Sequence, residues 1–128
     1  MRPFLNVKLK YIQSDIEGRR RVANYYLDNI SNSKIILPKV REQKGHVWHL
    51  FVIRTSKREE LQKYLLEKGI QSLIHYPIPP HKQEAYKEFS ALDLTITEKI
   101  HKEVLSIPLS AVMTENDCLE VVKAINNF

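Results

Sequence analysis

The sequence has little cysteine, little glycine and no long hydrophobic run. Its single cysteine, Cys118, excludes an internal disulfide and fits a reducing compartment, so we expect a cytoplasmic protein. Three glycines argue against a disordered chain and cannot build a glycine-rich loop that binds phosphate. No apolar run approaches the roughly 20 residues that cross a bilayer, and the N-terminus lacks the apolar core of a signal peptide. The 128 residues, 43% of them hydrophobic, therefore predict one packed domain and no membrane partner.

The chain also lacks the motifs of metal sites and of nucleophilic catalysis. His46 and His49 lie three residues apart in a segment that we interpret as a strand, where this spacing turns the side chains to opposite faces. No Cys-x-x-Cys, His-Glu-x-x-His or nucleophile-elbow segment occurs. We therefore expect no metal ligands within this chain. Composition leaves a Ser-His-Asp arrangement open, and an unrelated small enzyme that works through His75 and Tyr76 is a further alternative.

Positive charge is in excess but dispersed. The formal net charge is +5 and the isoelectric point is near 9.3, which would suit a polyanion such as nucleic acid. The only tight basic cluster, residues 19–21, follows Asp15 and Glu17. This pattern favours a solvated helix face, because phosphate-binding patches usually extend further. A stand-alone binding or regulatory module that uses its basic charge on nucleic acid stays open as an alternative function.

Prolines are concentrated in residues 74–83, which we call the proline loop. This segment holds three of the six prolines and two of the five histidines. Proline fixes φ and lacks a backbone donor, so we expect a stiff, extended loop rather than a helix or a central strand. The loop carries His75, Tyr76, His81 and Gln83, whose rings and polar groups suit a polyhydroxylated ligand. A connector in which these side chains pack locally is the alternative.

Apolar residues recur at helical spacing from about residue 4 to residue 30, with Gly18 as a point where the helix could bend. A single helix of this length is unusual in so small a domain. We expect its first turns to lie against another part of a longer protein, from which this chain is cut. The periodic residues are Leu5, Leu9, Ile12, Ile16, Ala23, Leu27 and Ile30.

The remaining segments alternate between strand and helix patterns. A strand, a helix and a strand in this order indicate a compact α/β unit in which helices cover a small sheet. The predicted elements are an edge strand at 35–37, a buried strand at 46–54, a helix capped by Ser56 and Glu59, a strand at 70–76, a short helix at 82–89, a helix from Thr95, an extended piece at 106–109, and a last helix capped by Thr114 and Asp117.

Several segments together resemble a known family. The most specific is the run His-Tyr-Pro-Ile-Pro-Pro-His-Lys-Gln-Glu-Ala-Tyr at 75–86. The others lie at 19–26, 46–54, 58–65, 68–70, 97–100 and 104–109. In this order and spacing, and over essentially the whole chain, they resemble the C-terminal part of the DegT/StrS-type sugar aminotransferases.

The resemblance implies the aspartate-aminotransferase (type I) fold and pyridoxal phosphate as cofactor. In the family, a lysine in a Ser-x-His-Lys segment of the large N-terminal domain binds this cofactor, and an acid partners its pyridinium nitrogen. This chain contains no such segment. It therefore resembles only the small C-terminal domain, over residues 1–128, with a long leading helix at 1–30 and an α/β sandwich with a small, mostly antiparallel sheet at 34–128. We expect the chain alone to bind no cofactor and to have no transaminase activity.

The resemblance also implies what the whole enzyme does. Such enzymes transfer an amino group from glutamate to a keto-sugar linked to a nucleotide, in the biosynthesis of bacterial surface polysaccharides, and their active sites form at homodimer interfaces. It makes His75 and Tyr76 contacts to the hexose, while His81 and Gln83 either join them or order the loop.

Two details of the resemblance bear on the substrate and on the surface. The segments at 80–86 and 108–114 are most similar to those of members that act on dTDP-linked 6-deoxy-3-keto-hexoses, and the 4-keto branch comes second. We also expect an exposed apolar patch where the large domain would pack.

Overall fold

The chain combines helices with a small sheet in a computed structural model that describes residues 2–128. The elements are α1 (Arg2–Leu9), α2 (Ile12–Asn29), β1 (Phe51–Arg54), α3 (Arg58–Glu67), α4 (Thr95–Glu103), β2 (Val104–Ile107) and α5 (Glu115–Asn126), with short 3-10 helices at Gln43–Gly45, Pro80–Lys82 and Glu84–Phe89. Within this described part of the chain, no helix has both the length and the apolar content needed to cross a bilayer.

The sheet is antiparallel and consists mainly of two short strands. β1 pairs with β2 in a register that places Phe51 opposite Ile107. Ile36 adds a single bridge to β1, and Leu73 adds a single bridge to β2. The expectation of a small antiparallel sheet accompanied by helices is thus confirmed.

Three predicted strands are shorter than expected. The strand predicted at 46–54 begins only at Phe51, because Trp48 has a φ of 49°, in the left-handed region that interrupts an extended chain. The indole of Trp48 is buried and stacks on the ring of Phe51, with 5.2 Å between ring centroids, which explains the apolar pattern. The strands predicted at 35–37 and 70–76 are reduced to their single bridges.

The leading helix is two helices rather than one. α1 ends at Leu9 and α2 begins at Ile12, and the amide of Tyr11 between them donates to the carbonyl of Lys8 in a tight turn. α2 continues without interruption through Gly18, so the expected bend at that glycine is wrong.

α1 and the start of α2 expose an apolar surface. Its members leave between 51% and 78% of their surface accessible, although aliphatic and aromatic side chains of this size are usually buried. We call this surface the α1 patch, and it consists of Phe4, Leu5, Val7, Leu9, Tyr11 and Ile12. The prediction of an exposed apolar patch is confirmed, while its contact with a large domain stays a prediction.

The core lies among α2, α5 and the sheet. Tyr26 of α2 is fully buried and meets the ring of Phe51 edge-on, with 5.2 Å between the ring centroids. Its hydroxyl donates to the carbonyl of Pro108 at 2.8 Å, so the one polar group of this aromatic side chain is satisfied. Ile53 and Leu105 of the sheet and Ile125 of α5 complete its centre.

Two helix starts had been predicted from caps. At α5, Thr114 and Asp117 form a reciprocal capping box, as predicted. At α3 the predicted cap of Ser56 with Glu59 is wrong, because the N-cap position is Lys57 and carries no side-chain cap. The hydroxyl of Thr55 instead accepts the amide of Lys57 at 3.2 Å.

Two further predictions concern short segments. Residues 82–89, predicted as a short helix, form parts of two 3-10 turns. The helix from Thr95 is present as α4, and the extended piece near 106–109 is the end of β2.

Candidate functional site

The proline loop leaves the sheet beside β2. Leu73, just before the loop, exchanges backbone hydrogen bonds of 3.0 and 2.8 Å with Ser106 of β2. The chain then turns at Tyr76, whose φ of 53° lies in the left-handed region that non-glycine residues rarely adopt. Backbone strain of this kind persists only where surrounding contacts enforce it, and it is common at functional sites.

His75 is held against the sheet through its imidazole. Its Nδ1 atom lies 2.9 Å from the hydroxyl oxygen of Ser106, which is itself buried. This hydrogen bond fixes the orientation of the imidazole ring. The phenol of Tyr76 points outward and is 77% exposed, so neither ring is enclosed in the core.

A cavity of about 230 Å³ opens at this junction. Three of its lining side chains are aliphatic, and three carry an imidazole, a phenol or a hydroxyl. Apolar walls beside a few polar residues occur in small-molecule sites, and here the exposed lining is almost entirely apolar. The lining residues are Leu50, Val52, His75, Tyr76, Val104 and Ser106.

His81 and Gln83 lie elsewhere in the loop. His81 is buried, and its Nε2 atom lies 3.0 Å from a carboxylate oxygen of Glu98 on α4. The amide nitrogen of Gln83 donates to the carbonyl of Ile78 at 3.2 Å. The structure therefore brings His75 and Tyr76 together at the cavity, whereas the other two predicted residues bond within the loop or to the helix beneath it.

Glu98 is the charged residue at the base of the loop. The hydrogen bond from His81, followed by the nearby ammonium of Lys82 at 3.5 Å, lowers the pKa of the Glu98 carboxyl, although desolvation opposes this. The carboxylate is therefore the stable form at neutral pH and holds the buried imidazole of His81 in place.

Three residues that contact the loop were missed in the sequence: Glu98, His101 and Ser106. The imidazole Nδ1 of His101 lies 2.7 Å from the carbonyl oxygen of Tyr76. Glu98 and His101 are three residues apart on a predicted helix, and this spacing was a usable signal that they share one face. Ser106 interrupts an apolar run, but the sequence could not show that His75 is its partner.

The lysines that the structure describes lack the surroundings expected of a lysine that forms a Schiff base. Every lysine among them is exposed, whereas a lysine that forms a Schiff base is activated by desolvation or by neighbouring charge. Nor does the described part of the chain bring together three His, Cys, Asp or Glu side chains in a geometry that could hold a metal ion.

Two arginines of the basic cluster at 19–21 form hydrogen bonds to backbone carbonyls of the same chain. Arg19 donates to the carbonyl of His49 at 3.2 Å, and Arg20 donates to that of His46 at 3.1 Å. Both arginines are half-buried, so the interpretation of this cluster as a solvated face is wrong for them. Bonds between guanidinium groups and backbone carbonyls occupy the donors that a phosphate would need.

Sequence comparison identifies the class of protein. The profile of the DegT/DnrJ/EryC1/StrS aminotransferase family matches residues 4–126. The chain therefore belongs to this family. The alternative of a nucleic-acid module has no support among its relatives, which are named as transaminases of sugars or as related regulatory and biosynthetic proteins.

Two curated relatives show how similar the chain is. It is 51% identical over 124 residues to the dTDP-3-amino-3,6-dideoxy-alpha-D-galactopyranose transaminase of Aneurinibacillus thermoaerophilus, covering 97% of this chain and 34% of that protein. It is 32% identical over 127 residues to the dTDP-3-amino-3,4,6-trideoxy-alpha-D-glucose transaminase of Streptomyces venezuelae, again covering 97% and 34%. The chain thus spans about a third of the length of these relatives.

Solved structures show the same likeness. S. venezuelae DesV, determined in complex with a ketimine intermediate, superposes with a TM-score of 0.90 at 31% identity, over 97% of this chain and 34% of that one. NtdA from Bacillus subtilis, with the bound cofactor PMP, superposes with a TM-score of 0.79 at 28% identity, over 88% and 28%.

Proposed function

We propose that this chain is the sugar-facing part of an aminotransferase that transfers an amino group from glutamate to a nucleotide-linked keto-sugar for bacterial surface polysaccharide biosynthesis. The observation that carries the proposal is the cavity beside His75 and Tyr76. Family membership and the names of the relatives support it, since two of them are named as transaminases of dTDP-linked amino sugars.

The proposal places the cofactor chemistry outside this chain. Residues 1–128 would form the C-terminal small domain of a type I fold, with residues 1–30 as a leading region and 34–128 as the α/β part. Pyridoxal phosphate, when bound, supplies the electron sink for amino transfer. Its lysine belongs to the two thirds of the enzyme that this chain does not match, because the described lysines are all exposed. We expect the whole enzyme to be a cytoplasmic homodimer and this chain alone to bind no cofactor.

The cavity suits one end of a nucleotide sugar. At about 230 Å³ it is smaller than the roughly 300–1,000 Å³ of sites that enclose a whole drug-sized ligand. A hexose ring is amphipathic, with hydroxyls at its edge and C–H groups on its faces. His75 and Tyr76 would donate to or accept from the hydroxyls.

The aliphatic wall bears on which hexose is bound. Leu50, Val52 and Val104 offer no hydrogen-bond partner, so a 6-hydroxyl against them would be desolvated without compensation, whereas a 6-methyl would be buried favourably. The wall therefore supports a 6-deoxyhexose. Because two relatives are named as transaminases of dTDP-linked 3-amino sugars, we infer a dTDP-linked 3-keto-6-deoxyhexose as substrate, with a 4-keto sugar as the competing choice. His81 and Gln83 would serve this site by ordering the loop.

The test separates the two half-reactions of the full-length enzyme that contains this chain. Glutamate is consumed in one half-reaction and the keto-sugar in the other, so a residue at the sugar end should affect only the second. We expect His75→Ala and Tyr76→Phe to lower kcat/KM for the keto-sugar about tenfold, the effect of roughly 1.4 kcal/mol from a lost hydrogen bond.

The control is the glutamate half-reaction, followed by cofactor absorbance in the same preparations. It should keep its wild-type rate in both variants, and His49→Ala, at an exposed histidine outside the cavity, should leave both half-reactions unchanged. Equal loss in the two half-reactions would contradict a role at the sugar end. Comparing 3-keto and 4-keto substrates decides between the two sugar branches.

A further inference from the structure

Two residues of α4 hold the two ends of the proline loop. Glu98 bonds to the buried imidazole of His81 near the end of the loop, at 3.0 Å. His101 bonds to the carbonyl of Tyr76 near its start, at 2.7 Å. The two α4 residues are three positions apart, so their side chains project from one face of the helix. One helix face therefore spans the loop from Tyr76 to His81.

The bond from His101 reaches the one residue of the loop whose backbone is strained. Tyr76 has a φ of 53°, and its own side chain is 77% exposed, so packing of the phenol does not enforce this conformation. A hydrogen bond to the Tyr76 carbonyl fixes the peptide plane that follows the strained residue. The direction of the phenol depends on this backbone geometry.

The bond from Glu98 satisfies a buried ring. His81 is only 5% exposed, and removal of its carboxylate partner would leave its Nε2 atom without that bond in a site that water barely reaches. His81 would then leave its buried position and release the turn at Pro80–Lys82. The far end of the loop would move with it.

We propose that Glu98 and His101 are positioning residues that hold the proline loop in the shape that presents Tyr76 beside His75. The positioning role rests on the proposed function, because it assumes that the loop contacts the sugar. The two hydrogen bonds from Glu98 to His81 and from His101 to Tyr76, which we call the clamp, are a property of this chain and can be tested without any substrate. Neither residue touches the cavity, so their effect would be exerted through Tyr76 and His81.

The first measurement uses the wild-type chain and needs no variant. If His101 donates to the Tyr76 carbonyl, its Nδ1 atom must carry a proton, and if His81 donates to Glu98, its Nε2 atom must carry one. Imidazole ¹⁵N shifts at neutral pH distinguish these sites. Finding an unprotonated Nδ1 in His101 or an unprotonated Nε2 in His81 would overturn the proposal.

The second measurement compares removal with conservative replacement. Glu98→Ala and His101→Ala should move the backbone signals of Tyr76 toward random-coil values while the signals of the core residue Ile125 stay in place. Glu98→Gln and His101→Asn keep an acceptor and a donor of similar reach, and should restore the wild-type Tyr76 signals. Lys102→Ala, at an exposed position of the same helix, is the matched control. Unchanged Tyr76 signals in both alanine variants would overturn the clamp.

The third measurement tests the positioning role in the full-length enzyme. Each alanine variant should lower kcat/KM for the keto-sugar at least threefold with an unchanged glutamate half-reaction, and the conservative variants should recover it. A wild-type sugar rate in variants whose Tyr76 signals have moved would overturn the positioning role. Such a result would leave the proposed function intact, since that depends on His75 and Tyr76 themselves.

Discussion

Gly18 of α2 lies directly against the backbone of Ala111, so closely that a side chain at this position has no room. A Cβ atom placed on Gly18 would lie 2.8 Å from the carbonyl oxygen of Ala111 and 2.9 Å from its Cβ. Real Cβ atoms do not approach other heavy atoms so closely. The glycine therefore lets α2 pack against the segment that leads into α5.

We predict that Gly18→Ala destabilises the chain. Alanine favours a helix interior by about 1 kcal/mol over glycine, but here the clash with a backbone atom of Ala111 forces α2 and its neighbour apart. Overpacking of this kind typically costs about 1–3 kcal/mol, so after the helix gain of about 1 kcal/mol we expect a net loss of up to about 2 kcal/mol in the free energy of unfolding. Urea denaturation of the chain measures it.

Gly45→Ala is the matched control. Its Cβ would meet no atom closer than 3.7 Å, from the side chain of Glu42. We expect the free energy of unfolding to stay within about 0.5 kcal/mol of the wild-type value. A slight gain is also consistent, because alanine lowers the conformational entropy of the unfolded chain. A Gly18→Ala chain as stable as this control would contradict the tight packing at Ala111.

Local patterns predicted the elements that depend on local chemistry. The capping box of Thr114 with Asp117 was predictable because both partners lie within four residues of each other. That residues 74–83 form a loop was predictable because proline restricts its own backbone. The fully extended course was wrong, since the chain turns at Tyr76 and forms a 3-10 helix at Pro80–Lys82. Membership of the mixed α/β class followed from the order of strand and helix patterns.

Features that depend on distant partners were not predictable. Trp48 lies in residues 46–54, whose composition predicts a strand, yet its left-handed backbone interrupts the extended conformation. At the site, His75 and Tyr76 are neighbours in the sequence, but Ser106, which bonds to His75, lies 31 residues further along the chain. Nothing in a local pattern shows that such residues meet, because their contact is decided by the register between the loop and β2.

The arginines of α2 give a second prediction. Arg20 donates from its guanidinium to the carbonyls of His46 and Lys44, and so ties α2 to the segment before β1. Arg20→Gln should lower the free energy of unfolding by about 1 kcal/mol, less than the roughly 1.5–3 kcal/mol of a charged hydrogen bond, because these bonds are exposed to solvent. Thermal denaturation measures this change.

Arg41→Gln is the control for charge alone, since Arg41 is an exposed arginine in a loop. It should leave the melting temperature unchanged.

A mobility-shift assay at low salt should show no binding of duplex DNA by the wild-type chain, because the clustered arginines already donate to backbone carbonyls. Salt-sensitive DNA binding that Arg20→Gln abolishes would reverse this conclusion.

The α1 patch gives a third prediction. Exposed apolar side chains on this scale promote association with other apolar surfaces. Replacing both Val7 and Leu9 with glutamine should reduce the fluorescence of the dye ANS. It should also reduce the rise of the sedimentation coefficient with protein concentration, because the chain associates less. The melting temperature should hardly change, because both side chains are more than half exposed.

Leu65→Ala is the comparison in which a buried apolar side chain, rather than an exposed one, is removed. Leu65 of α3 is fully buried, so truncation should cost about 2–5 kcal/mol by lost burial and cavity formation. It should raise ANS fluorescence rather than reduce it. If the double glutamine variant destabilises the chain as much as Leu65→Ala does, the α1 patch is packed in solution.

Tyr26 gives the last prediction, which concerns alkaline pH. Burial, with smaller contributions from Cys118 and Asp117, raises the pKa of the Tyr26 phenol well above its usual range. In the unfolded chain the phenol ionises near pH 10, as in model peptides, while in the folded chain it keeps its proton. Above about pH 10 the folded state therefore binds more protons than the unfolded state, and stability falls as pH rises.

Tyr26→Phe removes this group, so the stability of the variant should decline less steeply above about pH 10 than that of the wild type. At neutral pH the variant should be less stable by about 1–3 kcal/mol, because the carbonyl of Pro108 loses its donor in a part-buried site. Denaturation curves recorded at several pH values separate the two effects. Tyr11→Phe is the control for loss of a hydroxyl, since Tyr11 is 68% exposed and the change should leave the neutral stability as it is. If the free energies of unfolding of wild type and Tyr26→Phe fall in parallel above pH 10, the pKa of Tyr26 does not differ between the folded and the unfolded chain, and the prediction is wrong.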